Sequence, residues 1–358
     1  MVLDAPIVIE GAGLESIWRP ENDSRHFSGP MRVRDALALS RNLVSVRILR
    51  TLGVDYAIDY AKRFGFEPEE LPHNLTMALG TAQLTPLEMA RGYATFANGG
   101  FRVQPYLIDR IEDANGQLLS SAAPAVACPT CNAPIVPPLP AVPDSMGTHV
   151  PTSGEQGATD AILQSGAEDM SGVSPRTEQG SDHGRLPPPR RIAPRVISAA
   201  NAFLMTDLMR DVIRRGTAYR AMVLKRDDLA GKTGTTNDRR DTWFSGFNAD
   251  IVATAWVGFD HERSLGAGEE GGHTALPMWI YFMGEALSGR PEHRLPMPDG
   301  IVTARISPST GTLARPGDSD ALVEYFLKGR LPGAGGLAGD GAGAVSAKPG
   351  ATAEDPIF

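Results

Sequence analysis

Gly231-Lys232-Thr233-Gly234-Thr235-Thr236-Asn237 decides how this chain reads, together with residues 241–247 (DTWFSGF) and 251–259 (IVATAWVGF). The two later stretches are rich in β-branched and aromatic residues and are broken at Asn248-Ala249-Asp250, so they read as paired strands. Residues 228–236 form a third strand in this reading, with Asp238-Arg239-Arg240 as the connecting turn. Strand alternation then sends Thr233 and Thr235 to one face and Lys232, Gly234 and Thr236 to the other. Gly234 weakens a strand, and a glycine there marks close approach by a ligand or another backbone.

A phosphate-cradling loop would need a glycine five positions before the Gly-Lys-Thr and a helix after it. Position 226 is Arg and the following sequence is strand-like, so a nucleotide site is excluded. An exposed strand carrying a solvated lysine remains open on the triplet alone. Only five of the 34 basic residues are lysine (62, 225, 232, 328 and 348), so the chain uses arginine by default. Lysine at 232 points to a site that wants a compact, proton-exchanging ammonium.

The 358 residues can hold two domains or one large domain with insertions, and 42% apolar content supports a substantial core. A net charge of −8 with scattered arginines gives no basis for nucleic-acid binding. No 18-residue apolar run and no basic, apolar leader is present, so the polypeptide read literally is expected to stay in the cytoplasm. Cys128 and Cys131 lie in proline-rich sequence, without the strand and helix of a redox motif or the second pair of a zinc site. A local disulfide or two idle thiols both fit. No metal or cofactor is expected.

Residues 1–30 are irregular. Helices are expected over 33–39, over 43–52 with Val44, Ile48 and Leu52 on one face, and over 54–64 with Ile58 and Ala61 inward. Thr85-Pro86-Leu87-Glu88 is a capping box opening another helix, which Asn98-Gly99-Gly100 closes. Residues 101–119 read as a hairpin turning at Asp113-Ala114-Asn115-Gly116. Ser198 caps a helix running to Arg215, with Leu204, Leu208 and Val212 inward and Gly216 closing it. A further helix covers about 275–287, and 300–313 adds a short β piece. The expected organisation is therefore a helical part (1–110), an inserted hairpin and Pro/Gly/Ser-rich loop (111–195, mostly disordered), a sheet with covering helices (196–290), a short β piece (291–332) and a disordered tail (333–358). Helices first, strands next and a covering helix last suit an α+β fold with an antiparallel sheet.

Ser40-Arg41-Asn42 lies between two expected helices, where Ser or Asn before Leu43 would be a good N-cap. A second reading opens because Ser-x-Asn and Lys-Thr-Gly belong, with Ser-x-x-Lys, to the joint signature of β-lactamases and penicillin-binding proteins. Beyond the triplets, three stretches resemble the transpeptidase domain of class A penicillin-binding proteins, the 1A type in particular. These are residues 39–47 (LSRNLVSVR), 77–86 (MALGTAQLTP) with 90–100, and 231–237 with Trp243-Phe244-Ser245-Gly246 and Trp256-Val257-Gly258-Phe259. Residues 126–131 around the two cysteines also look like a 1A-type feature. The likeness covers roughly 15–130 and 190–315.

The resemblance implies an antiparallel sheet with helices on both sides plus a helical subdomain. It also implies acyl transfer on the D-alanyl-D-alanine end of a peptidoglycan stem peptide, with β-lactams competing. In that frame Lys232 draws the substrate carboxylate, Ser40 relays a proton to the leaving amine, and Asn42 holds the substrate amide. Thr233, Gly234, Thr235 and Thr236 form the substrate-binding strand, whose edge would complete an oxyanion hole. The chain departs from the pattern in holding no Ser-x-x-Lys anywhere. That motif carries the nucleophile and its base, so the chain is expected to be the C-terminal part of a larger enzyme and inactive alone. Its membrane anchor and glycosyltransferase would lie in a missing N-terminal half, with which this part could pair, and the parent would work at the periplasmic face of the inner membrane. A non-catalytic stem-peptide or partner-binding module, and less readily a β-lactamase-like hydrolase, are the alternatives.

Overall fold

The structure, a computed structural model, describes residues 1–10, 17–131, 133–136 and 191–333. The expected inserted loop from 137 to 190 and the tail beyond 333 lie outside the described residues. Chain contacts separate two units, Val2–Met297 and Met1 with Pro298–Phe358.

The larger unit opens with β1 (Val2–Asp4) and β2 (Gly29–Met31), which pair antiparallel, followed by α1 (Val33–Ala38), α2 (Asn42–Leu52) and α3 (Val54–Ala61). The helix expected to reach residue 64 tightens into a 3-10 turn over Lys62–Phe64. On α2 the buried positions are Leu43, Val44, Val46 and Leu49, whereas Leu52, expected inward, is exposed. The inward face is thus rotated from the expected stripe towards the side that meets Leu75 and Ile9.

Helix α4 (Pro86–Ala97) begins as its sequence requires. The Thr85 hydroxyl accepts from Glu88 N, and the Glu88 carboxylate accepts from Thr85 N, satisfying two amides that the first turn leaves without partners. The hairpin follows as β3 (Arg110–Glu112) and β4 (Leu118–Ser121), closed by an Asp113–Gln117 turn. Helix α5 (Ala199–Arg215) is capped by the Ser198 hydroxyl, which accepts from Asn201 N at 3.1 Å. Its buried stripe is Ala202, Met209, Val212 and Ile213, so Leu204 and Leu208 flank the core instead of centring it.

At the centre of this unit lie β5 (Ala230–Thr235), β6 (Thr242–Phe247) and β7 (Val252–Val257), an antiparallel sheet in the order β5-β6-β7. Helix α6 (Ala275–Ala286) packs on it. Phe244 and Phe247, three apart on β6, face opposite sides. Phe244 packs edge-on to Trp279 of α6 and joins Val212, Ile213, Leu276 and Met283 in the main core. Phe247 meets Tyr93, Phe96 and Ala97 of α4 and Met209 of α5. Trp279 is almost fully buried and donates its indole N–H to Gly246 O at 3.3 Å, so its polar handle is satisfied inside the core.

A chain of ion pairs clamps α1 to α5. Arg34 meets Asp207 at 2.6 Å and Asp211 at 3.2 Å, and Arg215 bridges Asp211 and Asp35 at 2.8 Å each. Burial works to raise the Asp35 carboxyl, but hydrogen bonds from Arg32 and Arg215 outweigh it and hold Asp35 below the usual carboxylate range. The clamp matters because the chain leaving α1 runs directly into Ser40.

In the smaller unit β8 (Ile301–Ile306) and β9 (Leu322–Leu327) form an antiparallel hairpin over six residue pairs. The short β piece is present as β8, and its partner β9 is not anticipated from the sequence.

Candidate active site

Lys232 occupies the third position of β5, opposite Ser245 of β6 in register. Its ammonium donates to Ser40 Oγ at 2.8 Å and to Thr233 O at 2.9 Å. The 192 residues separating Lys232 from Ser40 are closed by the packing of α1 on α5 and of α5 on β5. Lys232 is half-buried, and the protein crowded around its ammonium draws its pKa down from 10.5 to about 8 by desolvation. A lysine at that level is charged at neutral pH yet gives up its proton far more readily than an exposed one.

Ser40 does not cap a helix. It sits in the turn between α1 and α2 with φ +53°, a left-handed conformation uncommon for serine. Ser40 N donates to Leu37 O, and Arg41 N donates to Ala36 O, so the last turn of α1 fixes the geometry. The N-cap position of α2 is Arg41, which supplies no side-chain cap. The cap comes from a distance instead: Asn22 Oδ1 accepts from Leu43 N at 3.3 Å. Asn22 in turn donates to Asp4 Oδ1 at 2.7 Å and to His26 O at 2.9 Å. The fully buried Asp4 also accepts from Ser28 N at 3.0 Å and lies 3.8 Å from Arg41 Nε. Asp4, Asn22 and Arg41 therefore hold the junction that presents Ser40. Nothing local in their sequence signals this, because the contacts of Asp4 with Asn22 and Ser28 and of Asn22 with Leu43 join residues 18 to 24 apart.

The capping reading of Ser40-Arg41-Asn42 is thus corrected, since neither Ser40 nor Asn42 caps α2. Asn42 is the first residue of the helix and donates its side-chain amide to Glu21 O at 2.9 Å, with no hydrogen bond to Lys232 or Ser40. Thr233 Oγ1 lies 2.7 Å from Thr217 Oγ1, and Thr235 Oγ1 accepts from Gly271 N at 3.0 Å. Gly234 stands opposite Trp243 in the ladder. Thr236 turns away: its hydroxyl accepts from Asp241 N at 2.8 Å and closes the β5–β6 connection. Asp228, just ahead of β5, is buried, which pushes its carboxyl up. Hydrogen bonds from Arg226, Asn248 and His293 N prevail and hold it low, anchoring the start of the strand. Cys128 and Cys131 are disulfide-bonded, which resolves the two readings of that pair. Among the described residues no three side chains gather to hold a metal ion.

An antiparallel sheet flanked by helices, with a Lys-Thr-Gly edge strand and a serine from a helix junction on its lysine, defines the serine transpeptidase and β-lactamase-like class of proteins. The model of the penicillin binding protein transpeptidase domain matches residues 10–259, and the chain belongs to that family. Its likeness is to the 1A type. It is 45% identical over 332 residues to penicillin-binding protein 1A of Pseudomonas aeruginosa, covering 93% of this chain and 38% of the relative. It is 38% identical over 353 residues to penicillin-binding protein 1A of Escherichia coli, covering 93% of this chain and 40% of that protein. The chain therefore spans about two fifths of the length of these relatives. The crystal structure of penicillin-binding protein 1A from Haemophilus influenzae superposes with a TM-score of 0.76 at 35% identity, over 92% of this chain and 45% of that one. A Mycobacterium tuberculosis protein, PonA1, solved in complex with penicillin V, shares the fold at a TM-score of 0.54 and 20% identity, over 82% of this chain and 65% of that one.

Proposed function

We propose that this chain forms the part of a peptidoglycan D-alanyl-D-alanine transpeptidase that receives the stem-peptide carboxylate, the subsite β-lactams also enter. The observation that carries the reading is the 2.8 Å contact between Lys232 Nζ and Ser40 Oγ. Lys232 attracts the carboxylate, and the hydroxyls of Thr233 and Thr235 bind its oxygens. Ser40, hydrogen-bonded to an ammonium that exchanges protons near neutral pH, passes a proton to the departing D-alanine amine. Asn42 holds the substrate amide once a ligand displaces its bond to Glu21 O, and Gly234 lets the ligand backbone lie along the edge of β5.

Covalent transfer needs a nucleophilic serine and its base. The 358 residues contain no Ser-x-x-Lys, so these groups come from elsewhere in the working enzyme. Without them the residual oxyanion binding supplies only about 10³–10⁴ over the uncatalysed rate. The polypeptide alone is therefore expected to bind a D-alanyl-D-alanine peptide reversibly and to lose that binding in Lys232→Ala. It is expected to give no heat-stable band with a fluorescent penicillin, and a labelled band would overturn the assignment of the nucleophile. The parent enzyme would act at the periplasmic face of the inner membrane. Among the described residues no helix is long and apolar enough to cross a bilayer.

A further inference from the structure

The Cys-Pro-Thr-Cys disulfide is a motif that the carboxylate subsite does not use. Cys128 and Cys131 are half-buried, and Pro129 and Thr130 between them are exposed, so the bond can be approached from solvent. Beneath the turn lies Arg195, only 6% exposed. Its guanidinium donates to Gly99 O at 2.6 Å, to Cys131 O at 3.1 Å and to Pro129 O at 3.4 Å. It also lies 4.2 Å from the centre of the Phe101 ring.

These partners are carbonyls and a ring, and among the described residues no carboxylate pairs with this cation. Burial draws the pKa of Arg195 down, the mark of a charge short of a counter-ion. The neighbouring segments bring no anion either. Residues 99–102 and 191–197 add Arg102 and Arg191, which are bound at Lys62 O and Ala123 O. Arg294, beside the Leu295 that borders Gly99, pairs with Asp227 and Glu292. A fixed cation stabilises a nearby thiolate, so a cysteine placed there leaves a disulfide readily and titrates below the ordinary value of about 8.5. The turn lacks the helix N-terminus that can supply such a field, and Arg195 supplies it instead.

We infer that Cys128–Cys131 is a thiol–disulfide exchange site for a dithiol reductant, with Cys131 as the sulfur released beside Arg195. One thiolate of the reductant attacks Cys128 Sγ. The Cys128–Cys131 bond breaks, its electron pair leaves on Cys131, and a mixed disulfide forms at Cys128. The reductant's second thiol then attacks its own sulfur in the mixed disulfide, and Cys128 departs. The dithiol is oxidised to a disulfide and the protein gains two electrons. One thiol proton ends on Cys128 and the other in solvent, with Cys131 remaining a thiolate.

The 358-residue chain, reduced with dithiothreitol and then freed of it, is alkylated with iodoacetamide from pH 5 to 10, and peptide mass mapping reads each cysteine. The expected half-maximal rate for Cys131 falls about one pH unit or more below that of an ordinary thiol, with Cys128 near the ordinary value. Arg195→Gln should move Cys131 up to the ordinary range. It should also raise, by about tenfold, the ratio of reduced to oxidised dithiothreitol that half-reduces the disulfide at pH 8. Two cysteines that both titrate in the ordinary range, or an Arg195→Gln chain indistinguishable from wild type, overturn the exchange site. Thermal unfolding shows whether Arg195→Gln keeps the fold. If it does not, Cys128→Ser decides, because it leaves Cys131 as the lone thiol over an intact Arg195, and an ordinary pH profile there overturns the site as well.

Discussion

On one wall of the candidate site, β5 is held by a ladder of six residue pairs with β6 and by the aromatic core beneath it. The opposite wall, the turn between α1 and α2, has no ladder. It is held by Asp4, Asn22 and Arg41 and by the ion pairs that fasten α1 to α5. The β5 wall is apolar and cooperative, and its cost of disruption is set by cavity volume. The Ser40 wall is polar and buried, so its cost is set by which donors and acceptors lose partners. The contact between Lys232 and Ser40 is where the two kinds of support meet, and each can be broken separately.

The largest effect is expected at the apolar wall. Trp279→Ala removes the indole that packs on Phe244 and leaves Gly246 O without its donor. Destabilisation of about 4 kcal/mol is expected from the cavity, seen as a lower urea midpoint with little change in slope. A loss under about 1 kcal/mol would show that α6 is not integral to the sheet's core.

The two walls also differ in how much of them the sequence reveals. β5 to β7 are legible because strand signals are local: β-branched and aromatic runs broken by Asn248-Ala249-Asp250. The α4 cap is legible for the same reason, since Thr85 and Glu88 are three apart. The Ser40 wall is not. Its cap is lent by Asn22, which lies 21 residues before Leu43, so a local reading assigns capping to Ser40 or Asn42 and is wrong. Leu52, Leu204 and Leu208 illustrate the same limit: periodicity finds a helix, but the neighbours choose which stripe is buried. Gly216 is recognisable as a helix stop, whereas the meeting of Thr217 with Thr233 exists only once α5 lies along β5.

At the polar wall Asp4→Ala leaves Asn22 Nδ2 and Ser28 N without their shared acceptor in a fully buried place, and Arg41 without the carboxylate it pairs with at 3.8 Å. About 3 kcal/mol of stability should be lost, less than for Trp279. Unlike Trp279→Ala, the change acts directly on the turn carrying Ser40. Affinity for the D-alanyl-D-alanine peptide should therefore fall further than the stability loss accounts for, when measured where both proteins are still folded. Equal affinity in the folded fractions would mean that the turn keeps Ser40 in place without Asp4.

The smallest effect concerns the contact itself. Because Lys232 in the folded chain loses its proton at about 8 instead of 10.5, the unfolded chain binds more protons between those values. Stability conferred at this position therefore rises with pH across that window, and below it the buried ammonium is a cost. Lys232→Met removes the charge while keeping an unbranched side chain, so it should be more stable than wild type at pH 7, by about 1 kcal/mol given that Lys232 is only half-buried. The advantage should shrink as pH rises from 8 towards 10.5. Urea unfolding of both proteins at pH 7, 8 and 9.5 reads the difference directly, and the titrations of other lysines and tyrosines cancel between them. A gap that stays constant with pH would mean that Ser40 Oγ and Thr233 O solvate the ammonium as well as water does, and that the 2.8 Å contact is the stronger influence on Lys232.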